Sequence, residues 1–217
     1  MIIAFTEIEK LFEEIDHLLN KQARVYIIGG AALLHRGIKA ATKDLDLVVA
    51  TKQEFFGIQN ALNKIKFTTQ IPGKEYTHLN ISQIFLRDDF RIDLFEKEVC
   101  GRFSLSEKMM GRAEPMVMLN RLAIFLCSNE DIFLFKTMTE REGDITDCIS
   151  IAATQGLDWE VILEELQGQI KHSQQKVWIT WIGERLDLLV ERGVDIPIMN
   201  AVDTLREAYF EEKDRFA

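Results

Sequence analysis

The chain predicts an α/β (α+β) fold, a mixed β-sheet flanked by helices and followed by a mainly helical C-terminal region. Three observations predict it. Short β-branched or alternating runs at 25–28, 44–49 and 91–95 interleave with helix-spaced segments up to about residue 99. After Gly101 one further short strand is legible, around 116–119, and helical spacing then runs to the end. A length of 217 residues, 47% hydrophobic and 28% charged, is enough to bury a real core as one large domain or two small ones. The expected division is 1–100 and 101–217, with a soft boundary.

Each element has a local reason. Residues 5–20 carry Ile8, Leu11, Phe12, Ile15, Leu18 and Leu19 at the spacing of one helix face. Residues 25–28 read as a buried strand, broken by Gly29-Gly30, and 31–35 open a helix. The second strand, 44–49, sends Asp44, Asp46 and Val48 to one face and Leu45, Leu47 and Val49 to the other, because successive side chains alternate. Thr51 caps a helix over 53–65 with Phe55, Phe56, Ile58, Leu62 and Ile65 inward. Pro72-Gly73 marks a turn, and 81–86 and 91–95 form a hairpin through Arg87-Asp88-Asp89. Arg91, Asp93 and Phe95 share one face of its second strand. Ser128 and Asp131 start one helix and Asp144 and Asp147 another; further helices cover 159–170, 177–191 and 201–214. Trp159, Trp178 and Trp181 fall in those helical patterns and read as core.

Composition excludes several classes. A net charge of −9 argues against sequence-indifferent nucleic-acid binding, which needs a basic surface. From His17 to Lys43, however, there is no acidic residue, while Lys21, Arg24, Arg36, Lys39 and Lys43 are present. That local positive field suits a small polyphosphate better than a long polyanion. The longest apolar runs, such as 122–127, are too short to span a bilayer, and Glu7, Glu9 and Lys10 stand where a signal peptide needs apolar residues. Cys100, Cys127 and Cys148 are odd in number and set among apolar residues; they read as reduced core thiols of a cytoplasmic protein.

The chemistry-bearing residues lie near the glycine pair. Gly29-Gly30 at a strand-to-helix turn either lets an anion approach the main chain or is a simple tight turn. A dinucleotide fingerprint is absent after this strand. Asp44 and Asp46 leave one strand face side by side, and two such anions are most readily kept with a cation between them. Magnesium, which takes oxygen ligands and accompanies phosphates, is the natural choice. Their alternative is a solvated strand face. Asp93 is a third carboxylate in a β pattern; it either joins the first two around metal or pairs with a nearby arginine. Lys136, Arg141, Asp144 and Asp147 form a second constellation: a lysine for phosphate, or an exposed lysine beside a helix cap. His35 and His78 have no ligand-like spacing and read as surface or packing residues.

Taken together, Gly29-Gly30, Thr42-x-Asp44-x-Asp46 and Asp93 resemble the nucleotidyltransferase superfamily built on the DNA polymerase beta-like palm. The likeness is closest to its minimal bacterial and archaeal members, including the abortive-infection toxin type. The resemblance covers about 22–155. It implies a nucleoside triphosphate such as ATP held by Gly29 and Gly30, magnesium (or manganese) bound by Asp44, Asp46 and Asp93, and those aspartates as the catalytic set. Lys39, Thr42, Lys136, Arg141 and Asp144 join the nucleotide-binding set by the same resemblance. The chain departs from the family with Gly30 in place of a common serine, Lys39 where arginine is frequent and Gly143 where relatives carry lysine. The implied activity is transfer of a nucleoside monophosphate to an acceptor hydroxyl on a protein, a transfer RNA or a small molecule, with no membrane partner and with homo-oligomerisation left open. The alternative is a catalytically inactive member acting as a regulator, in the manner of an antitoxin. A metal-dependent phosphoesterase needs further histidine or carboxylate ligands that the sequence does not supply.

Overall fold

The computed structural model of the chain describes residues 1–2, 4–70, 83–99, 101 and 103–214. Expectations on Pro72-Gly73, Ile81, His78 and Cys100 lie outside these residues. The chain divides into two compact units, Met1–Ser128 and Asn129–Ala217.

The first unit opens with helix α1 (Phe5–Leu18), then strand β1 (Ala23–Ile28), short helix α2 (Gly29–His35), β2 (Leu45–Val49) and α3 (Lys52–Lys64). It continues through β3 (Thr68–Gln70), β4 (Gln83–Arg87), β5 (Phe90–Glu96), α4 (Glu107–Arg112), β6 (Glu114–Met118) and β7 (Leu122–Leu126). Among the described residues the strands make one seven-stranded mixed sheet in the order β3-β4-β5-β2-β1-β7-β6. β2 runs antiparallel to β1 and parallel to β5, and β1 runs parallel to β7. The four central strands supply the core: Val25, Ile27, Leu45, Leu47, Ile92, Leu94 and Ile124 are fully buried. Each such side chain contributes about 1.5–3 kcal/mol on leaving water.

Helix α3 lies against β1, β2 and β5. Its start is fixed by a reciprocal cap, in which the Thr51 hydroxyl accepts from Glu54 N–H and the Glu54 carboxylate accepts from Thr51 N–H. The same carboxylate accepts from Arg24 N–H at 3.0 Å, tying the helix to β1. Asp16, buried on α1, accepts from the N–H groups of Arg121 and Leu122 at 2.7 and 2.8 Å, anchoring the start of β7.

The second unit consists of α5 (Asn129–Thr137), α6 (Glu142–Gln155), α7 (Trp159–Ser173), α8 (Trp178–Glu191) and α9 (Met199–Asp214). Helix α5 is buried from Asp131 through Thr137, as a helix enclosed by others should be. Phe133 meets the Trp159 ring edge-on at 5.4 Å. No helix among the described residues is long and apolar enough to cross a membrane.

Four expectations need correction. Beyond residue 100 the sheet gains β6, which contains most of the strand expected at 116–119, and also β7 in place of an expected helical stretch; the first compact unit runs to Ser128. The apolar run at 122–127 carries no period of its own, and what makes it a strand is long-range pairing with β1. Asp44 stands just before β2, not within it. Helix α6 begins at Glu142, which puts Asp144 in its first turn and Asp147 beyond, so neither starts the helix. Trp181 and Phe56 are exposed rather than inward, at 38% and 55%.

Replacing Asp16 by alanine strands two backbone donors at the β7 entrance. Urea denaturation of Asp16→Ala should show a loss of about 2–3 kcal/mol, with a wild-type-like midpoint ruling out the anchoring role.

Candidate active site

The site is built where β1 ends. Asp46 is the second residue of β2, and every other residue of that strand is buried. Register places Asp46 beside Ile28 of β1 on one side and beside Asp93 of β5 on the other. Partners in register point to the same face of a sheet, so the two carboxylates leave it together.

Gly29 follows Ile28 with φ +66, in the left-handed region that favours glycine. A Cβ at this position would fall 2.2 Å from Asp46 Oδ2, so the carboxylate rests against the bare α-carbon. A Cβ on Gly30 would meet Thr42 Oγ1 at 2.4 Å, with Lys39 Nζ at 3.9 Å. Hence the glycine pair opens α2 and makes room for Asp46, Thr42 and Lys39. The absence of a serine at position 30 has a physical cause, since the Thr42 hydroxyl holds that space. Thr42 is itself fixed: its backbone bridges Ile2 in both directions, and its hydroxyl donates to the Asp44 carbonyl at 3.0 Å.

Asp93 is only 4% exposed. Arg91, two residues earlier on the same face, donates to it from Nε at 2.7 Å and from Nη2 at 2.8 Å. The arginine partner weighed for Asp93 is therefore present. Among the described residues no group of three or more His, Cys, Asp or Glu side chains is gathered closely enough to hold a metal ion alone. The three-carboxylate convergence is thus not formed as a closed ligand set: Asp46 and Asp93 are paired by register, and Asp44 sits before the strand.

Lys136, Arg141, Asp144 and Asp147 do come together, within the second unit. Lys136 Nζ donates to Asp144 Oδ1 at 2.8 Å and to Asp147 Oδ2 at 2.7 Å. The Thr139 hydroxyl and Arg141 Nε also donate to Asp144 Oδ2. Lys136 is 6% exposed, so it is neither the surface lysine nor a lysine aimed at open phosphate; its ammonium is committed to two carboxylates. Burial pulls its pKa down, yet the charges and hydrogen bonds of Asp144 and Asp147 outweigh burial and leave it raised. Burial pushes Asp144 up, but the Lys136 and Arg141 charges hold it below the ordinary carboxylate value. Arg141, its side chain 60% exposed, is the cation of this network that meets water.

Of the lone residues, His35 packs edge-on against Phe5 at 4.6 Å. Cys127 and Cys148 are buried free thiols, and burial pushes Cys148 up to about 12, which leaves it inert. Sequence reasoning missed Thr139 as a member of these constellations, and it weighed an arginine partner for Asp93 without naming Arg91. Arg91 was legible through its Arg-x-Asp spacing on one strand face, whereas Thr139 lies in a loop with no periodic signal.

Together the sheet, the glycine turn and the in-register aspartates define a nucleotidyltransferase fold. Residues 6–180 match the model of a family described as "Nucleotidyltransferase of unknown function (DUF6036)", and the chain belongs to that family. Among solved structures it is similar to that of ANT(2")-Ia in complex with adenylyl-2"-tobramycin, with a TM-score of 0.50 and 13% identity. That likeness, a likeness of fold, covers 77% of this chain and 97% of the other. No curated protein matches the sequence.

Two measurements test the geometry. Gly29→Ala adds a left-handed penalty and a clash with Asp46, and should cost at least about 2 kcal/mol in urea denaturation; a neutral result would mean that Asp46 does not rest there. Lys136→Met takes the buried ammonium from two carboxylates, leaving Asp144 to Arg141 and Thr139, and should cost about 3–5 kcal/mol near neutrality. Asp144, depressed in the folded state, contributes stability above about pH 3.9 that is lost as pH falls through its lower folded value. Lys136, raised, contributes below about pH 10.4 and loses this as pH rises through its folded value. The gap between wild type and Lys136→Met should therefore be widest between these limits and shrink on both sides. A pH-independent gap contradicts the ion network.

Proposed function

We propose that the protein transfers a nucleoside monophosphate from a nucleoside triphosphate to an acceptor hydroxyl, releasing pyrophosphate. The observation that carries this reading is the in-register pair Asp46 and Asp93, with Asp46 lying against the bare α-carbon of Gly29. Family membership supports nucleotidyl transfer as the reaction class.

The donor set is all oxygen, which fits a hard divalent cation such as magnesium or manganese. Magnesium is commonly held by one or two carboxylates together with substrate phosphates, so a site lacking three gathered side chains is a normal one. On this reading Asp46 and Asp93, with Asp44 two residues before Asp46, would hold the metal, which would neutralise phosphate charge when bound. The chain's own groups do the rest. Gly29 and Gly30 make room for Asp46 and Thr42 at the turn where the triphosphate would lie, and Lys39 brings a point charge to the same turn. Thr42 keeps that turn and the Asp44 backbone in place. Asp93 takes the proton of the acceptor hydroxyl as its oxygen bonds to the α-phosphorus; the bond from that phosphorus to the bridging oxygen breaks, and pyrophosphate leaves. Lys136, Asp144 and Asp147 act as framework of the helical unit, and Arg141 is the cation of that network that meets water.

The acidic balance of the chain favours a small acceptor over a long polyanion. The adenylylated small molecule named with ANT(2")-Ia points the same way. The non-catalytic alternative also has an observation behind it, since Arg91 engages both oxygens of Asp93. Turnover separates the two. Purified protein with magnesium and each labelled triphosphate in turn should label an acceptor from a small-molecule extract, and Asp46→Asn should cut that labelling on the order of 10²-fold or more. Labelling by none of the four nucleotides, in any cellular fraction, overturns the enzyme reading and leaves the regulator.

A further inference from the structure

The Arg91–Asp93 pair is an unusual partner for a metal-binding carboxylate. Both residues lie on β5 two positions apart, so the pleat of one strand aims them to the same side whatever the neighbouring elements do. The guanidinium is engaged side-on, Nε to Oδ1 and Nη2 to Oδ2, and so uses both oxygens of a nearly buried carboxylate. Arginine stays protonated at any pH the fold tolerates, so it cannot release Asp93 by losing a proton. It can release it only by turning away. Its side chain is 26% exposed, so it is not sealed in the interior as the carboxylate is.

We propose that Arg91 is an internal counter-cation to Asp93 that competes with divalent metal and so sets the metal affinity of the site. This rests on reading Asp46 and Asp93 as metal ligands. A divalent ion drawing on an Asp93 oxygen meets a fixed positive charge on the same carboxylate, and like charges that close oppose each other strongly in a half-buried setting. Asp46 lies across the register on β2, so the two carboxylates share one face of the sheet. Nucleoside triphosphate supplies the further negative charge that shifts the competition toward metal, so metal and nucleotide should bind cooperatively.

Chelator-treated full-length protein titrated with manganese, with free ion counted by electron paramagnetic resonance, tests this without any turnover. Affinity should rise in the order wild type, Arg91→Lys, Arg91→Gln, the last by on the order of tenfold, and Asp46→Asn should remove binding in every background. Lysine keeps the charge but loses the planar fork, hence its middle place. In the wild-type chain, added magnesium should move the Arg91 Nε–H proton resonance toward that of a hydrated arginine. Unchanged or weaker binding in either Arg91 variant, or an unmoved resonance at saturating metal, overturns the counter-cation while leaving the metal site standing. If no protein binds manganese in an Asp46-dependent way, the metal site itself is wrong, and this inference falls with it.

Discussion

The parallel pairing of β2 with β5 is the constraint on which the rest of the site depends. Its register sets Asp46 opposite Asp93, Leu45 opposite Ile92 and Leu47 opposite Leu94. A slip of one residue would turn Asp93 to the face where Leu45 and Leu47 are fully buried, and would send Ile92 and Leu94 to the carboxylate side. Burying one unpaired carboxylate costs more than any single apolar contact returns. The hydrophobic pattern of two central strands thus fixes the register that sets the two acids side by side.

The glycine turn depends on the same sheet. β1 is locked between β2 and β7, so Ile28 delivers Gly29 to the level of Asp46 whatever α2 does. The segment between α2 and β2 is held by Ile2, whose backbone bridges Thr42, and by Arg36, which donates to the Cys127 carbonyl at 2.7 Å. Residues from both ends of the first unit thereby clamp a connection that has no regular structure of its own.

Much of this was legible from sequence because it is written in short-range patterns. The 3.6-residue spacing in α1 is legible because that helix buries one face, and the apolar run Leu45–Val49 because β2 buries every residue but Asp46. The Thr51 cap was visible for the same local reason. What was not legible depends on partners far along the chain. The β7 run pairs with β1 about a hundred residues away, and Asp16 looks like any surface acid until the Arg121 backbone arrives. The Lys136 network was half legible: its members were named, but their mutual burial is a property of helices packed around α5. The bidentate hold of Arg91 on Asp93 needed side-chain geometry, since a shared strand face permits such a contact without requiring it.

The two ionic networks use the same chemistry for opposite ends. Around Lys136 the ammonium and both carboxylates it serves are enclosed, and removing it takes a buried charge partner from Asp144 and Asp147 in a poorly solvated interior. Such a network has one arrangement. Around Asp93 the carboxylate is enclosed but its arginine is 26% exposed, which on the proposed reading lets the guanidinium turn to water and leaves the carboxylate to another cation. A cation that can be exchanged must have a partly solvated competitor, because a fully buried one could leave only by unfolding its surroundings. Static framework in the helical unit and an exchangeable pair in the sheet follow from that single difference in exposure.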